Sequence, residues 1–127
     1  MLKKTITYTD YNGNEQTHDY YFNLNKVECT QLQMNKKGGF DKYIKDIVDQ
    51  GDTNAIFDVF NKIILKAYGV KDPEGQRFIK SEKLSEEFSQ TPAYEVLFME
   101  IATNPQEAEN FIKGVFPQEM IQALPNK

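Results

Sequence analysis

The stretch from Asn54 to Gly69 constrains this chain more than any other. On a helical wheel, Ile56, Val59, Phe60, Ile63, Ile64 and Ala67 form one broad apolar stripe with the i, i+3, i+4, i+7 spacing of an amphipathic helix. Phe57 and Tyr68 widen the stripe, and Leu65 lies on its far side. A surface helix carries a narrower apolar face, so this pattern predicts a central helix covered from more than one direction. Asp52 offers an oxygen acceptor before the first turn, and Gly69 suits a left-handed stop after the last.

Such a helix needs a core around it, and 127 residues are enough for one core but not two. A hydrophobic content of 39%, of which aromatics supply 13% of the chain, places it among globular domains rather than disordered ones. No apolar run approaches the ~20 residues a bilayer span needs. The start, Met1 to Tyr8, has basic residues but no apolar core and does not read as a signal peptide. The single cysteine, Cys29, excludes an internal disulfide and fits a reducing compartment, so a cytosolic protein is expected. The net charge is −4 and the basic residues are scattered, with Lys36-Lys37 the longest basic run after the N-terminus. That is too short for a phosphate-binding patch, so neither nucleic acid nor membrane is expected as a partner.

Residues 2–24 read as a β-hairpin. Thr5 to Thr9 alternates threonine with Ile6 and Tyr8, and Tyr20-Tyr21-Phe22 is aromatic, both favoured in strands. Asp10 to Glu15 is the turn. A two-residue Asn12-Gly13 loop would set Ile6 opposite Asp19. A three-residue loop, Asn12-Gly13-Asn14, instead pairs Leu2 with Leu24, Lys4 with Phe22, Ile6 with Tyr20 and Tyr8 with His18, which gathers the apolar side chains on one face and is preferred. The hairpin must pack on helices or on strands of another chain, and its edges allow pairing between copies.

Asn25-Lys-Val-Glu28 resembles a capping box opening a short helix to about Asn35, with a thin apolar side of Val27 and Met34 and with Leu32 off that side. Gly38-Gly39 is a joint, and Phe40 to Gln50 is a helix with Phe40, Tyr43, Ile44, Ile47 and Val48 on one side. Val70-Lys71 against Phe78-Ile79 forms a second short hairpin about an Asp72-Pro73-Glu74-Gly75 turn. Three helices follow. Ser81 caps the first, with Leu84 and Phe88 inward. Thr91-Pro92 starts the second, with Tyr94, Leu97, Phe98 and Ile101 inward and Val96 and Met99 pointing elsewhere. Asn104-Pro105-Gln106-Glu107 starts the third with a capping box, with Ala108, Phe111, Ile112 and Val115 inward. Pro117 opens a last segment carrying Met120, Ile121 and Leu124. The expected fold is α+β, mainly α: an N-terminal hairpin packed on about five to seven short helices. It is one domain over 1–127, made of the hairpin 2–24, a helical part 25–116 and a C-terminal segment 117–127.

The residues offer no catalytic set. With one histidine, His18, and one cysteine, no zinc set of the usual kind can form, and a cross-strand histidine and a buried thiol are the simpler readings. Gly38-Gly39 lacks the lysine and serine of a phosphate-binding loop. Glu82, Glu86 and Glu87 lie on or beside a solvated helix face, and nothing pairs an acid with a base. We therefore expect no enzyme, no cofactor and no metal. Apolar side chains off their helix's main stripe are the remaining signal. Phe57, Leu65, Tyr68 and Met99, with the terminal Met120, Ile121 and Leu124, are candidate partner-binding residues, suited to helix-in-groove recognition if the domain does not bury them.

Several segments together are similar to one family. They are Ile6 to Gly13, Tyr21 to Leu24, Ile64 to Val70, Arg77 to Ser81, Leu84 to Thr91 and Tyr94 to Thr103. In this order they resemble the tail assembly chaperones of long-tailed phages and prophages of Gram-positive bacteria, from about residue 3 to residue 116. Asn25 stands where the family leads one to expect threonine, Cys29 is not a family feature, and residues 117–127 match least. The resemblance implies a non-enzymatic protein of the host cytoplasm that coats the tape measure protein while tail tube subunits polymerise around it. It also implies absence from the finished tail, a short form beside a frameshifted longer one, the tape measure protein as partner and the tail tube protein as a second. Homo-oligomers through hairpin edges or apolar helix faces are compatible with it. The competing readings are a structural tail completion or connector protein and an acidic regulator of a host protein.

Overall fold

Strand-forming threonines and aromatics do make the hairpin. β1 (Leu2–Thr9) pairs antiparallel with β2 (Glu15–Phe22) in the computed structural model, which describes residues 1–34 and 53–117. The register differs from the expected one: Leu2 faces Phe22, Lys4 faces Tyr20, Ile6 faces His18 and Tyr8 faces Gln16. The loop does have three residues, but they are Tyr11, Asn12 and Gly13, one position earlier than expected. Asp10 decides this. Its carboxylate accepts from the Asn12 and Asn14 N–H groups, each at 2.9 Å, and from the Gln16 amide at 2.9 Å. Gly13 donates to the Asp10 carbonyl at 3.0 Å and takes φ +86°, where a side chain would be strained. Because the slip is two residues and not one, the same side chains stay on the buried face.

The Asn14 N–H, then the Gln16 amide, holds the Asp10 carboxyl below its ordinary value of 3.8. A carboxyl with a depressed folded pKa stabilises the loop fully above its unfolded pKa and loses that stabilisation as pH falls through the folded value. The loop should therefore stay closed down to about pH 4 and loosen below it. An NMR titration of the Asn14 amide checks this. A midpoint at or above the ordinary carboxyl value would show that Asp10 does not hold the loop.

α1 (Lys26–Met34) opens with the full reciprocal box: the Asn25 N–H donates to Glu28 at 2.9 Å and the Glu28 N–H to the Asn25 side chain at 2.8 Å. Cys29, not Val27, faces the core. Val27 is 67% exposed, contrary to its expected place on the inner side. Two apolar residues are too few to orient a helix, and the box together with the contacts of Glu28 orients it instead.

α2 (Thr53–Ala67) is the central helix, with Val59, Phe60, Ile63, Ile64 and Ala67 buried as the stripe requires. It runs straight into β3 (Tyr68–Lys71). Gly69 is not the left-handed stop expected of it, since only Gly13 and Gly75 have positive φ among the described residues. Sheet pairing ends the helix: Tyr21 faces Gly69, Phe22 faces Tyr68, and the Asn23 N–H donates to the Ala67 carbonyl at 2.9 Å. β4 (Phe78–Ile79) completes the second hairpin as expected, with Val70 facing Ile79 and Lys71 facing Phe78. Its turn repeats the first: Gly75 donates to the Asp72 carbonyl at 3.0 Å and Gln76 to the Asp72 side chain at 2.8 Å. The two hairpins thus join into one sheet of order β1-β2-β3-β4.

α3 (Glu82–Ser89), α4 (Pro92–Thr103) and α5 (Pro105–Val115) are capped by Ser81, Thr91 and Asn104, as the sequence predicts. Only half of the Asn104 box forms. Asn104 accepts from Gln106 and Glu107, but its own N–H is taken by the Glu100 carbonyl of α4, and Glu107 reaches Lys4 at 3.7 Å instead. The fold is α+β and mainly α, with the helices on one face of the sheet. Phe22 is the hub of the core: its ring meets Phe88 at 5.8 Å, Phe111 at 5.4 Å and Tyr68 at 5.9 Å. The expected helix Phe40–Gln50, the Gly38-Gly39 joint, the Asp52 cap and the segment after Pro117 lie outside the described residues.

Candidate interaction surface

The i, i+4 row Phe57, Asn61, Leu65 leaves the main stripe of α2 and meets two later helices. Phe57 packs edge-on against Phe98 of α4, with ring centres 5.3 Å apart. Tyr94 stacks on the same Phe98 at 5.8 Å and donates its hydroxyl to the Asn61 side-chain oxygen. Ser85 of α3 donates to the Leu65 carbonyl at 2.8 Å. Tyr68 stacks flat on Phe88 at 4.3 Å. Burial, and then the nearby Glu87 charge, push the Tyr68 phenol above its ordinary value, and burial does the same to Tyr94. Phe57, Leu65 and Tyr68 are therefore half-buried in contacts within the domain. The second covering direction implied by the wide stripe is supplied by α3 and α4.

Leu65 still opens onto a groove of about 710 Å³ between α2 and α3. Lys66 stands on one side of it and Glu82 and Glu86 on the other. Met99 is 47% exposed on α4, and Val96, one turn earlier on the same outer side, is 43% exposed. Val96 and Met99 lie apart from the Leu65 groove, so the candidate residues do not form a single patch. Met120, Ile121 and Leu124 lie outside the described residues.

The polar groups are used to hold the fold. Lys80, just after β4, donates to both Glu28 carboxylate oxygens at 2.8 Å and to the Asn23 carbonyl at 2.6 Å. Burial lowers the Lys80 pKa, and the Glu28 hydrogen bond and charge oppose that shift. This contact ties the second hairpin to the first turn of α1. Beside it Cys29 is fully buried, and burial, then the Glu28 charge, push its thiol up to about 11. A thiol so placed is neutral at physiological pH and a poor nucleophile. His18 is exposed, with its ring 6.1 Å from that of Tyr8. Among the described residues no group of three His, Cys, Asp or Glu side chains could hold a metal ion, and no helix is long and apolar enough to cross a membrane. The described residues of this surface offer apolar and hydrogen-bonding contacts.

The sequence marks both edges of the hairpin as open to pairing; the structure closes the β2 edge with β3 and leaves the outer edge of β1 at the margin. The alternation that reveals a strand does not say which strand will lie at the margin of the sheet. Comparison with known proteins gave one result: the model of a family described as phage tail assembly chaperone matches residues 1–127, including the C-terminal stretch where the likeness was weakest. No curated protein and no solved structure matches.

Proposed function

Since the chain belongs to the phage tail assembly chaperone family, we propose that it binds the tape measure protein and keeps it soluble while tail tube subunits polymerise around it. The match over residues 1–127 carries this reading. Exposed Val96 and Met99 and the groove at Leu65 support it, because exposed apolar surface is what transient capture of an aggregation-prone chain requires. On this reading the protein acts in the host cytoplasm, performs no reaction and leaves before the virion is complete. Leu65 and Met99, with Met120, Ile121 and Leu124, are the residues offered to the partner, with Val96 added from its exposure, while Phe57 and Tyr68 support that surface from their contacts within the domain.

Co-expression with the tape measure protein of the same gene cluster tests it. We expect the soluble fraction of that protein to rise by about tenfold or more, a differential stabilisation near 1.4 kcal/mol, and the two to co-purify. Equal insolubility with and without this chain, and no co-purification, would overturn the reading. Mass spectrometry of purified virions should find the chain absent. Stoichiometric presence would make it a structural tail component instead.

A further inference from the structure

β1 is an eight-residue strand at the margin of the sheet. Its pairing phase follows from the loop, where the Asp10 N–H donates to the Asn14 carbonyl at 2.8 Å. Hydrogen-bonded and non-bonded pairs alternate along an antiparallel ladder, so Tyr8, Ile6, Lys4 and Leu2 direct their backbone groups toward β2. The backbone N–H and C=O groups of Lys3, Thr5, Thr7 and Thr9 therefore point the other way. The same phase is visible on the far side of the hairpin, where the Asn23 N–H points away from β1 to reach Ala67. Among the described residues nothing pairs with the outward row. Proteins normally blunt such an edge with charges, proline or a bulge. This row carries three threonines, which favour strands, and one lysine.

Of the strands in the sheet, α4 packs chiefly against β1, and its Glu100 reaches Lys4 at 3.2 Å. Val96 lies one turn before Glu100 and so shares that flank, and exposed Met99 continues it outward. We infer that the β1 edge and this flank of α4 take an extended segment of the tape measure protein as an added strand. The inference rests on the function proposed above and names how the partner is held. Side chains on one face of the added strand lie against Val96 and Met99, and those on the other lie beside Thr5, Thr7 and Thr9. The captured segment therefore alternates apolar and polar residues, the pattern that makes a chain aggregate when its strands stay unpaired. Lys3, exposed at the start of the row, complements an acidic residue in that segment.

A second copy of this chain fits the edge poorly. Two β1 strands paired about a two-fold axis lie about 4.8 Å apart. Because α4 packs on β1, this pairing would bring two α4 helices side by side on the same face, where packed helices need about 8–10 Å. A single strand from another chain brings no such helix.

Residue-resolved hydrogen exchange on the free protein and on the co-purified complex tests this. In the free protein the amides of Thr5, Thr7 and Thr9 should exchange fast while those of Lys4, Ile6 and Tyr8 are slow. In the complex the first set should slow by about tenfold or more. The Thr7→Pro variant removes an N–H that the hairpin does not use and should cut the yield of complex about tenfold, whereas Thr7→Val, which keeps that N–H, should not. Circular dichroism shows whether each variant is folded. If complex forms but the outward amides stay fast, the added strand is wrong and the chaperone function stands. If no complex forms with the unaltered chain, both fall. If the outward amides are already slow in the free protein, the edge is occupied by this chain or by another copy, and the inference is overturned.

Discussion

The Phe22→Ala variant is expected to lose about 3–5 kcal/mol of stability, the range for removing a buried aromatic ring. Phe22 is 0% exposed and its ring touches residues from three later elements: Tyr68 at the start of β3, Phe88 in α3 and Phe111 in α5. The surrounding rings stack on one another, Tyr68 on Phe88 at 4.3 Å, so they cannot collapse into the space without breaking their own contacts. Small domains hold about 5–15 kcal/mol in total, which makes this loss a large part of the whole. In urea the midpoint should fall by about 2 M at an m-value near 2 kcal/mol/M, with m unchanged. A loss below about 1.5 kcal/mol would mean that the aromatic cluster relaxes around the gap and that Phe22 is not the hub.

Gly69→Ala is expected to cost about 1–3 kcal/mol, the range for overpacking. An added Cβ would sit 2.8 Å from Phe78 Cε2 and 2.9 Å from the Ile79 carbonyl oxygen. The ring can turn aside. The carbonyl cannot, because it belongs to the strand that pairs Ile79 with Val70. Gly114→Ala is the internal control. Its Cβ would meet Leu2 Cδ1 at 2.9 Å, which can rotate away, and Leu2 Cβ at 3.2 Å, where a shift of a few tenths of an ångström is enough, and alanine gains up to about 1 kcal/mol of helix propensity. Gly114→Ala should come out near neutral. If the two variants cost the same, Gly69 is not fixed by its neighbours, and thermal unfolding monitored by circular dichroism decides between the outcomes.

Gly69 also shows where sequence reading stops. Beside an apolar stripe, glycine is the natural helix terminator, and the helix does end there. The cause is a pairing with Tyr21 and Phe22, more than forty residues earlier in the chain, which no local window contains. The hairpin register failed for a smaller reason. Asp10 and Gly13 at the first and fourth positions of a turn are a readable signal, and it was outweighed by the preference for pairing apolar residues directly. Val27 lies outside the core, against its pattern, because two apolar residues cannot fix the rotation of a helix. The capping box, in which Glu28 also meets Lys80 from the second hairpin, fixes it instead.

The candidate surface was legible only in part. Phe57, Leu65 and Tyr68 stood out because they lie off the stripe, and the structure shows what most of that surface meets, namely Phe98, Ser85 and Phe88. Met99 stood out for the same reason and is exposed. One pattern gave two outcomes, since amphipathicity reports that a face is apolar but not whether another helix reaches it.

What the sequence by itself determined is what short-range chemistry controls. The caps at Asn25, Ser81, Thr91 and Asn104, the Asp-x-x-Gly turns at Asp10 and Asp72, and the buried stripe of α2 each depend on atoms within about four residues of one another. The tertiary structure alone decided that two hairpins join into one sheet, that α3 and α4 cover the far side of α2, and that β1 is left at the margin. These depend on contacts between residues tens of positions apart. Their free energy comes from non-directional burial of apolar area, which many arrangements of the same elements satisfy locally and only the assembled chain selects among.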